Sequence, residues 1–420
     1  MTRADTIRHE GEAAPAAVRL ETAWPRVQAV LQAAWTHSAE FRARMAAAGM
    51  SLADVRSWEE FARIPPIRKK DLMDWQQREG LGALTSVELG RLSRIFMSPG
   101  PLFDPEGRSS DFWGWTDAFH AAGFRAGDVV QMTFGYHLTP AGLMLEEPLR
   151  EIGCAVIPAG PGNTQTQIDL LTRLPVTGFV GMASYLKVIK DTARSQGLDP
   201  AEAFRLKVAF VAAERLPESL RRELEEELGM VVRQGYGTAD VGCIAYECRQ
   251  LTGMHLAARA HVEICDPATG APLPAGELGE VVVTPFPTEY PLVRLATGDL
   301  SMLDDAPCAC GRSAPRLQGI LGRVDDTAKV KGQFIYPHQV AQALAGYAEM
   351  LRWQVVVENP DGRDALTLLV VAPDSISCEA VAASFQAVCK LRPRVQRLDP
   401  AACGETLPEN APRLVDRRTW

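Results

Sequence analysis

Two short groups of side chains could hold a soft divalent cation: Cys248 followed by His255, and Cys308-Ala309-Cys310-Gly311 further along. Structural zinc takes four nitrogen or sulfur ligands in a tetrahedron, and two short knuckles can supply them. With Cys248, His255, Cys308 and Cys310 all committed, no position is left for water. Such a metal would clip loops together rather than act on a substrate. Reduced cysteines packed in a β-rich region are the alternative. The nine cysteines are odd in number and scattered, which argues against a disulfide framework. The second knuckle sits inside a longer run, Thr297 to Pro337, that opens on Thr297-Gly298-Asp299, read as an exposed acid on a turn. The run continues through Gly322-Arg323-Val324-Asp325-Asp326 to a lysine-rich, glycine-containing hairpin pattern, as a domain junction would.

The elements that must position these residues follow from periodicity. Residues 15–48 carry apolar positions at helical spacing and stop at Ala48-Gly49-Met50. Between about 109 and 235, short apolar runs at Asp128–Phe134, Cys154–Pro158, Gly178–Gly181 and Val208–Ala212 alternate with amphipathic stretches such as Pro140–Gly153 and Pro217–Gly229. That alternation predicts a mostly parallel sheet flanked by helices, with ligands at the carboxyl ends of its strands. Alternating strands at His261–Asp266, Glu277–Thr284 and Asp299–Leu303 predict a small distorted β-barrel or sheet. Beyond Asp325 the order β-β-α-β-β-α-β, with helices near His338–Tyr347 and Cys378–Leu391, predicts a small α+β domain. The fold class is therefore α/β, divided into a large N-terminal domain over 1–322, with a small β-rich subdomain, and an α+β C-terminal domain over 323–420.

A chain of 420 residues is long enough for more than one core. A net charge of −8 argues against nucleic acid or an anionic membrane surface as a partner. No apolar run reaches the roughly 20 residues of a membrane span, and the polar start has no signal-peptide core. The expected setting is the cytoplasm.

The succession of TGDL, GRVDD, the KVKG hairpin and IYP resembles the late motifs of adenylate-forming (AMP-binding) acyl-CoA ligases. The CACGR insert is similar to their phenylacetate-CoA ligase branch, as are Gly276–Val282 and Tyr290–Arg294, which look like its GELGE and PLIRY units. The likeness covers nearly all of 60–418. It implies an ATP-dependent ligase that activates an aryl, phenylacetate-like carboxylic acid as an acyl-adenylate and transfers it to CoA, with Mg²⁺ and a structural Zn²⁺ as cofactors. Relatives of this kind are often dimers, and the sequence is compatible with a homodimer. The α+β domain becomes a lid that swings about a hinge at Asp325. Tyr236, Gly237 and Thr238 match a motif whose Tyr stacks on adenine and whose hydroxyl meets the α-phosphate, and Asp240 falls where an acid helps hold magnesium. By itself Gln234–Asp240 also reads as a turn before a helix. Ala213 and Glu214 resemble the pair bordering the adenine, Ser98 and Gly100 stand in the phosphate loop, and Tyr136, His137 and Tyr185 are candidates for the acyl pocket. Asp299 takes the ribose, because a carboxylate can accept from two vicinal hydroxyls, and Arg323 is a second nucleotide partner.

Two phosphate-handling elements depart from the family. The loop is reduced to Ser98-Pro99-Gly100-Pro101, followed by Asp104 and Glu106, which would repel phosphate. The tail keeps Leu407-Pro408 and Arg413–Arg418 but lacks the Gly-Lys between them, leaving Arg413 or Lys331 as substitute catalytic cations. The alternatives are a nucleotide- or acyl-binding homologue that has lost adenylation, and an enzyme that uses a preformed adenylate or another acceptor.

Overall fold

The helical spacing near the start of the chain folds as two helices, Ala16–His37 and Ala39–Ala47, broken at Ser38. The Ser38 hydroxyl accepts from the Phe41 amide and so caps the second helix. Their apolar faces bury Val27, Val30, Leu31, Phe41 and Met45 against Phe61 and Ile64. The computed structural model describes residues 5–98, 101–324, 328–330, 333–360, 364–398, 407–408 and 411–418. Gly100, Asp325 and Lys331, all expected in the site, lie outside those residues.

A two-residue strand, β1 (Ile67–Arg68), leads into the helix Lys69–Glu79, and a hairpin follows, β2 (Arg94–Ser98) and β3 (Leu102–Glu106). Next come β4 (Val129–Met132), β5 (Ala155–Pro158), β6 (Gly178–Gly181), β7 (Val208–Val211) and β8 (Val231–Thr238). The order β5-β4-β6-β7-β8 is parallel throughout. Helices such as Ala141–Ile152, Thr164–Arg173, Ala183–Ser195 and Glu218–Leu228 make the crossovers. Being covered on both faces, the central strands read as near-continuous apolar runs, and all four residues of β6 and of β7 are buried.

The sheet changes character within β8. Its first half pairs parallel with β7, and its second half pairs antiparallel with β9 (Gly242–Glu247). The sheet then continues through β10 (Met254–Leu256) to two strands from later in the chain. A second sheet joins β11 (Ala260–Cys265), β12 (Gly279–Pro285) and β13 (Leu295–Ser301) to β1. The short strands β14 (Leu303–Asp304) and β15 (Arg316–Leu317) complete the first sheet, and β16 (Gly322–Arg323) pairs with β13. Two readings are corrected here. Thr297–Asp299 lies within β13, not on a turn, and Gln234–Thr238 is strand running into a hairpin, not a turn before a helix.

Two compact units result: one spans Met1–Thr297 and Ser301–Ile320, the other Gly298–Leu300 and Leu321–Trp420. In the second, β17 (Ala328–Val330) and β18 (Gln333–Ile335) precede a helix at Pro337–Leu344. There follow β19 (Arg352–Glu358), β20 (Ala365–Val371), a helix at Cys378–Cys389, β21 (Arg394–Leu398) and β22 (Leu414–Asp416). The four last strands form one sheet in the order β21-β20-β19-β22, with its own core around Val355, Leu368, Val381 and Phe385. Among the described residues no helix is long and apolar enough to cross a membrane.

Candidate nucleotide and metal sites

Strand β13 carries the acid expected to meet a ribose. Asp299 lies opposite Arg323 in the β13–β16 register, and Arg323 Nη1 donates to Asp299 Oδ1 at 2.6 Å. Gly298 makes this close pairing possible. Its φ of +81° belongs to the left-handed region, and a Cβ there would crowd the Arg323 guanidinium. The Asp299 side chain is 13% exposed and that of Arg323 49%, so the pair is open to solvent on the arginine side. Two residues earlier on the strand, Thr297 accepts from the Tyr236 hydroxyl at 3.2 Å and donates to the Val281 carbonyl. Tyr236 is thereby fixed at the end of β8, where the sheet switches from parallel to antiparallel. The glycines flanking Tyr236 have a packing reason: a Cβ at Gly235 would run into Phe210 and Trp115, and one at Gly237 into the Gly242 carbonyl. Thr238 is half-buried and its hydroxyl accepts from the Val241 amide.

The place expected to hold a phosphate loop is instead the β2–β3 hairpin. Gln76, on the helix Lys69–Glu79, clamps it by donating to the Phe103 carbonyl at 2.8 Å and accepting from the Phe103 amide at 2.7 Å. With Phe103 facing outward, strand alternation turns Leu102 and Asp104 inward. Asp104 and Glu106 are therefore not phosphate-facing acids: both are buried, and Glu106 is held by Arg94 and by Trp113 Nε1. Asp104 lies beside Asp240 with both of its carboxylate oxygens enclosed. Burial, then the charge of Asp240, push the Asp104 carboxyl from an ordinary value near 3.8 up to about 8, against the pull of Ser98 and Lys69. Asp240 itself is enclosed and its Oδ2 pairs with Lys69 Nζ at 2.8 Å. Ser98 turns its hydroxyl to the Leu102 carbonyl across the hairpin. Sequence reading missed this triad. The inward-outward alternation of β3 was the available signal for Asp104, and the Lys69-Lys70-Asp71 start of the helix for Lys69.

The other expected residues occupy separate local networks. Ala213 is exposed with φ +69°, an uncommon conformation for alanine, and puts Glu214 over the start of the helix Ala183–Ser195. There Glu214 accepts from the Ser184 amide and hydroxyl. Tyr136 donates to Glu146 at 2.7 Å, Tyr185 donates to the Gly162 carbonyl at 2.6 Å, and His137 is exposed. Arg413 stacks over Trp353 at 4.8 Å and donates to its carbonyl.

Cys248, His255, Cys308 and Cys310 converge, their ligand atoms all within 4.8 Å of one another. The β9–β10–β15 ladder brings them together: Met254 pairs with both Glu247 and Leu317, so the end of β9, the start of β10 and the chain leading into β15 share one corner. The Cys248 and Cys308 sulfurs are 3.8 Å apart. Zn–S bonds of about 2.3 Å in a tetrahedron require an edge of about 3.8 Å. His255 Nε2 lies 3.3 Å from the Cys310 sulfur, while its Nδ1 is 2.8 Å from the Ala314 carbonyl. A proton held at Nδ1 leaves Nε2 free as a ligand, and burial lowers the His255 pKa, favouring the neutral ring. The residues fit a tetrahedral zinc.

A family model described as AMP-binding enzyme matches residues 117–285. The phenylacetate-coenzyme A ligase of Thermus thermophilus is 30% identical over 398 residues, 89% of each chain. The protein of the same name from Escherichia coli is 27% identical over 364 residues, covering 83% of this chain and 82% of that one. Among solved structures, an open conformation of 2-hydroxyisobutyryl-CoA ligase in complex with 2-HIB-AMP and CoA superposes with a TM-score of 0.85 at 26% identity, covering 97% of this chain and 93% of that one.

Proposed function

Because the chain belongs to the phenylacetate-coenzyme A ligase family of AMP-binding enzymes, we propose that it joins a carboxylic acid to CoA using ATP, through an acyl-adenylate. The observation that carries the reading is the match at 30% identity across 89% of both chains. An aryl, phenylacetate-like acid is the substrate class the relatives' names support, and the cytoplasm the setting their CoA chemistry fits. In this reading Asp299 accepts from the ribose hydroxyls, Tyr236 stacks on adenine and the Thr238 hydroxyl meets the α-phosphate. Asp240 is the acid for Mg²⁺, which when bound neutralises phosphate charge. Lys69, already paired with Asp240, adds a cation beside it, and Arg413 or Lys331 replaces the missing tail lysine. Positioning and charge neutralisation carry the rate, without a covalent enzyme intermediate. Zinc on Cys248, His255, Cys308 and Cys310 is structural, since no ligand position stays open.

Acid-dependent pyrophosphate release from ATP, followed by thioester formation on adding CoA, tests the reading. Asp299→Ala removes two charge-assisted hydrogen bonds of about 1.5–3 kcal/mol each, so nucleotide affinity should fall on the order of 100-fold or more. Unchanged affinity in that variant removes the ribose assignment. The buried Asp104 on the β2–β3 hairpin favours a second reading, in which the enzyme takes a preformed acyl-adenylate. Thioester formation from synthetic acyl-AMP, with no pyrophosphate released from ATP under any acid, would select it.

A further inference from the structure

A cavity of about 390 Å³ within the first unit is lined by none of the residues assigned to nucleotide or acid and by none of the four zinc ligands, though it borders the zinc corner at Arg312 and Ala314. Its walls come from the N-terminal arm and the helix Ala16–His37 on one side, and from Tyr246, Leu256, Val262 and Phe286 on the other. That volume falls within the roughly 300–1,000 Å³ typical of small-molecule sites. The lining is mostly apolar, and its charges divide unequally. Glu12 is neutralised: it accepts from Arg312 Nε at 2.8 Å and from the Tyr246 hydroxyl at 3.1 Å. Asp117 is met by Arg8 at 3.0 Å and His9 at 3.1 Å. Arg26 spends its guanidinium on the Ala258 carbonyl and the Phe286 ring, and meets no carboxylate among the described residues. Arg19 has neither a carboxylate nor a hydrogen-bond acceptor among the described residues, and its Nη1 is fully enclosed.

A half-buried guanidinium with no acceptor is costly, because its lost hydration is not replaced. Both carboxylates in the lining are already matched, so the uncompensated charge in the cavity is positive. We propose that this cavity is a second ligand site, which takes a small monocarboxylate with its apolar body against Tyr246, Val262 and Phe286 and its carboxylate on Arg19. The planar guanidinium fork matches a carboxylate, and the apolar wall rejects a compact inorganic anion.

The roof of the site is fixed by the Cys308–Cys310 knuckle. Arg312 Nη1 donates to Asp5 at 2.9 Å and the Ser313 amide donates to the Glu12 carbonyl at 2.9 Å, while the Arg312 amide donates to the Cys310 sulfur at 3.4 Å. The N-terminal arm is thus latched to the loop that the metal organises, so the cavity keeps its shape only while that loop does.

Hexanoate titrated into the whole protein by calorimetry is the test, without nucleotide. Wild-type protein should bind it saturably at about 1 mM or tighter. Arg19→Met should weaken this binding about tenfold or more, Arg19→Lys should restore part of it, and Ala258→Phe, which narrows the mouth from an exposed position, should weaken it without moving the thermal midpoint. Methyl hexanoate, uncharged, should not compete. Hexanoate binding that is absent in wild type, or unchanged in Arg19→Met because it occurs at the reaction's own acid site, overturns the proposal.

Discussion

Two clusters of metal-binding residue types are assembled in the same unit, and they differ in what already neutralises them. At the knuckle corner, four ligand atoms face one another within 4.8 Å, with sulfur and imidazole lone pairs turned inward. Of these four groups Arg316 reaches only the Cys308 thiol, and the second nitrogen of His255 is tied back to a carbonyl. At the β2–β3 hairpin, by contrast, Asp104 and Asp240 crowd together but carry their own compensation, one as a proton and the other as the Lys69 ammonium. The first arrangement is arranged for a cation from outside. The second is stable without one, so a magnesium ion on Asp240 must compete with Lys69.

Three experiments break or sharpen this contrast. The largest effect belongs to the knuckle: Cys308→Ser, or stripping with a chelator, should remove one equivalent of zinc per chain by metal analysis. It should also lower the thermal midpoint by about 6–12 °C, from a loss of roughly 3 kcal/mol. Wild-type protein that contains no zinc, or a variant of unaltered midpoint, would erase the difference between the clusters. Next is Asp240→Asn, which should cut acid-dependent pyrophosphate release by about 10²–10³-fold, the range for removing one preorganised charge interaction at a reacting phosphate. The same rate in mutant and wild type would make Asp240 a packing residue.

The smallest effect is a pH slope. Asp104 binds its proton more tightly folded than unfolded, so its contribution is fully present below pH about 4 and is lost as pH rises through about 8. Denaturant titrations across that window should show stability falling with pH in wild type and a flatter profile in Asp104→Asn. A slope identical in both proteins would mean that Asp104 is ionised and that Lys69 compensates two charges.

Much of the fold was legible because it is local. Apolar runs of four to seven residues between amphipathic stretches became β4 through β7 and their crossover helices, within a residue or two of the expected bounds. The small C-terminal unit followed the expected β-β-α-β-β-α-β order, with β22 added at its edge. What failed were readings that depended on a partner strand. Thr297–Asp299 looked like a turn because Thr-Gly-Asp is turn-like text, yet it lies in β13, a strand that pairs with β1, β12 and β16. Tyr236–Thr238 looked like a turn before a helix, yet β9 returns antiparallel upon it.

The sequence by itself determined the residue types and their order: four soft ligands in two knuckles, an acid after Thr-Gly, a Tyr-Gly pair, and a loop stripped of its usual hydroxyls and lysine. Only the tertiary structure decided which groups meet. Cys248 and Cys308 stand 60 positions apart, and their contact is a product of the β9–β10–β15 register. Asp104 faces Asp240, rather than solvent, because Gln76 holds Phe103 outward from a distant helix. The physical reason is common to both: side-chain direction follows from local backbone period, but burial and charge compensation depend on segments that local periodicity cannot bring together.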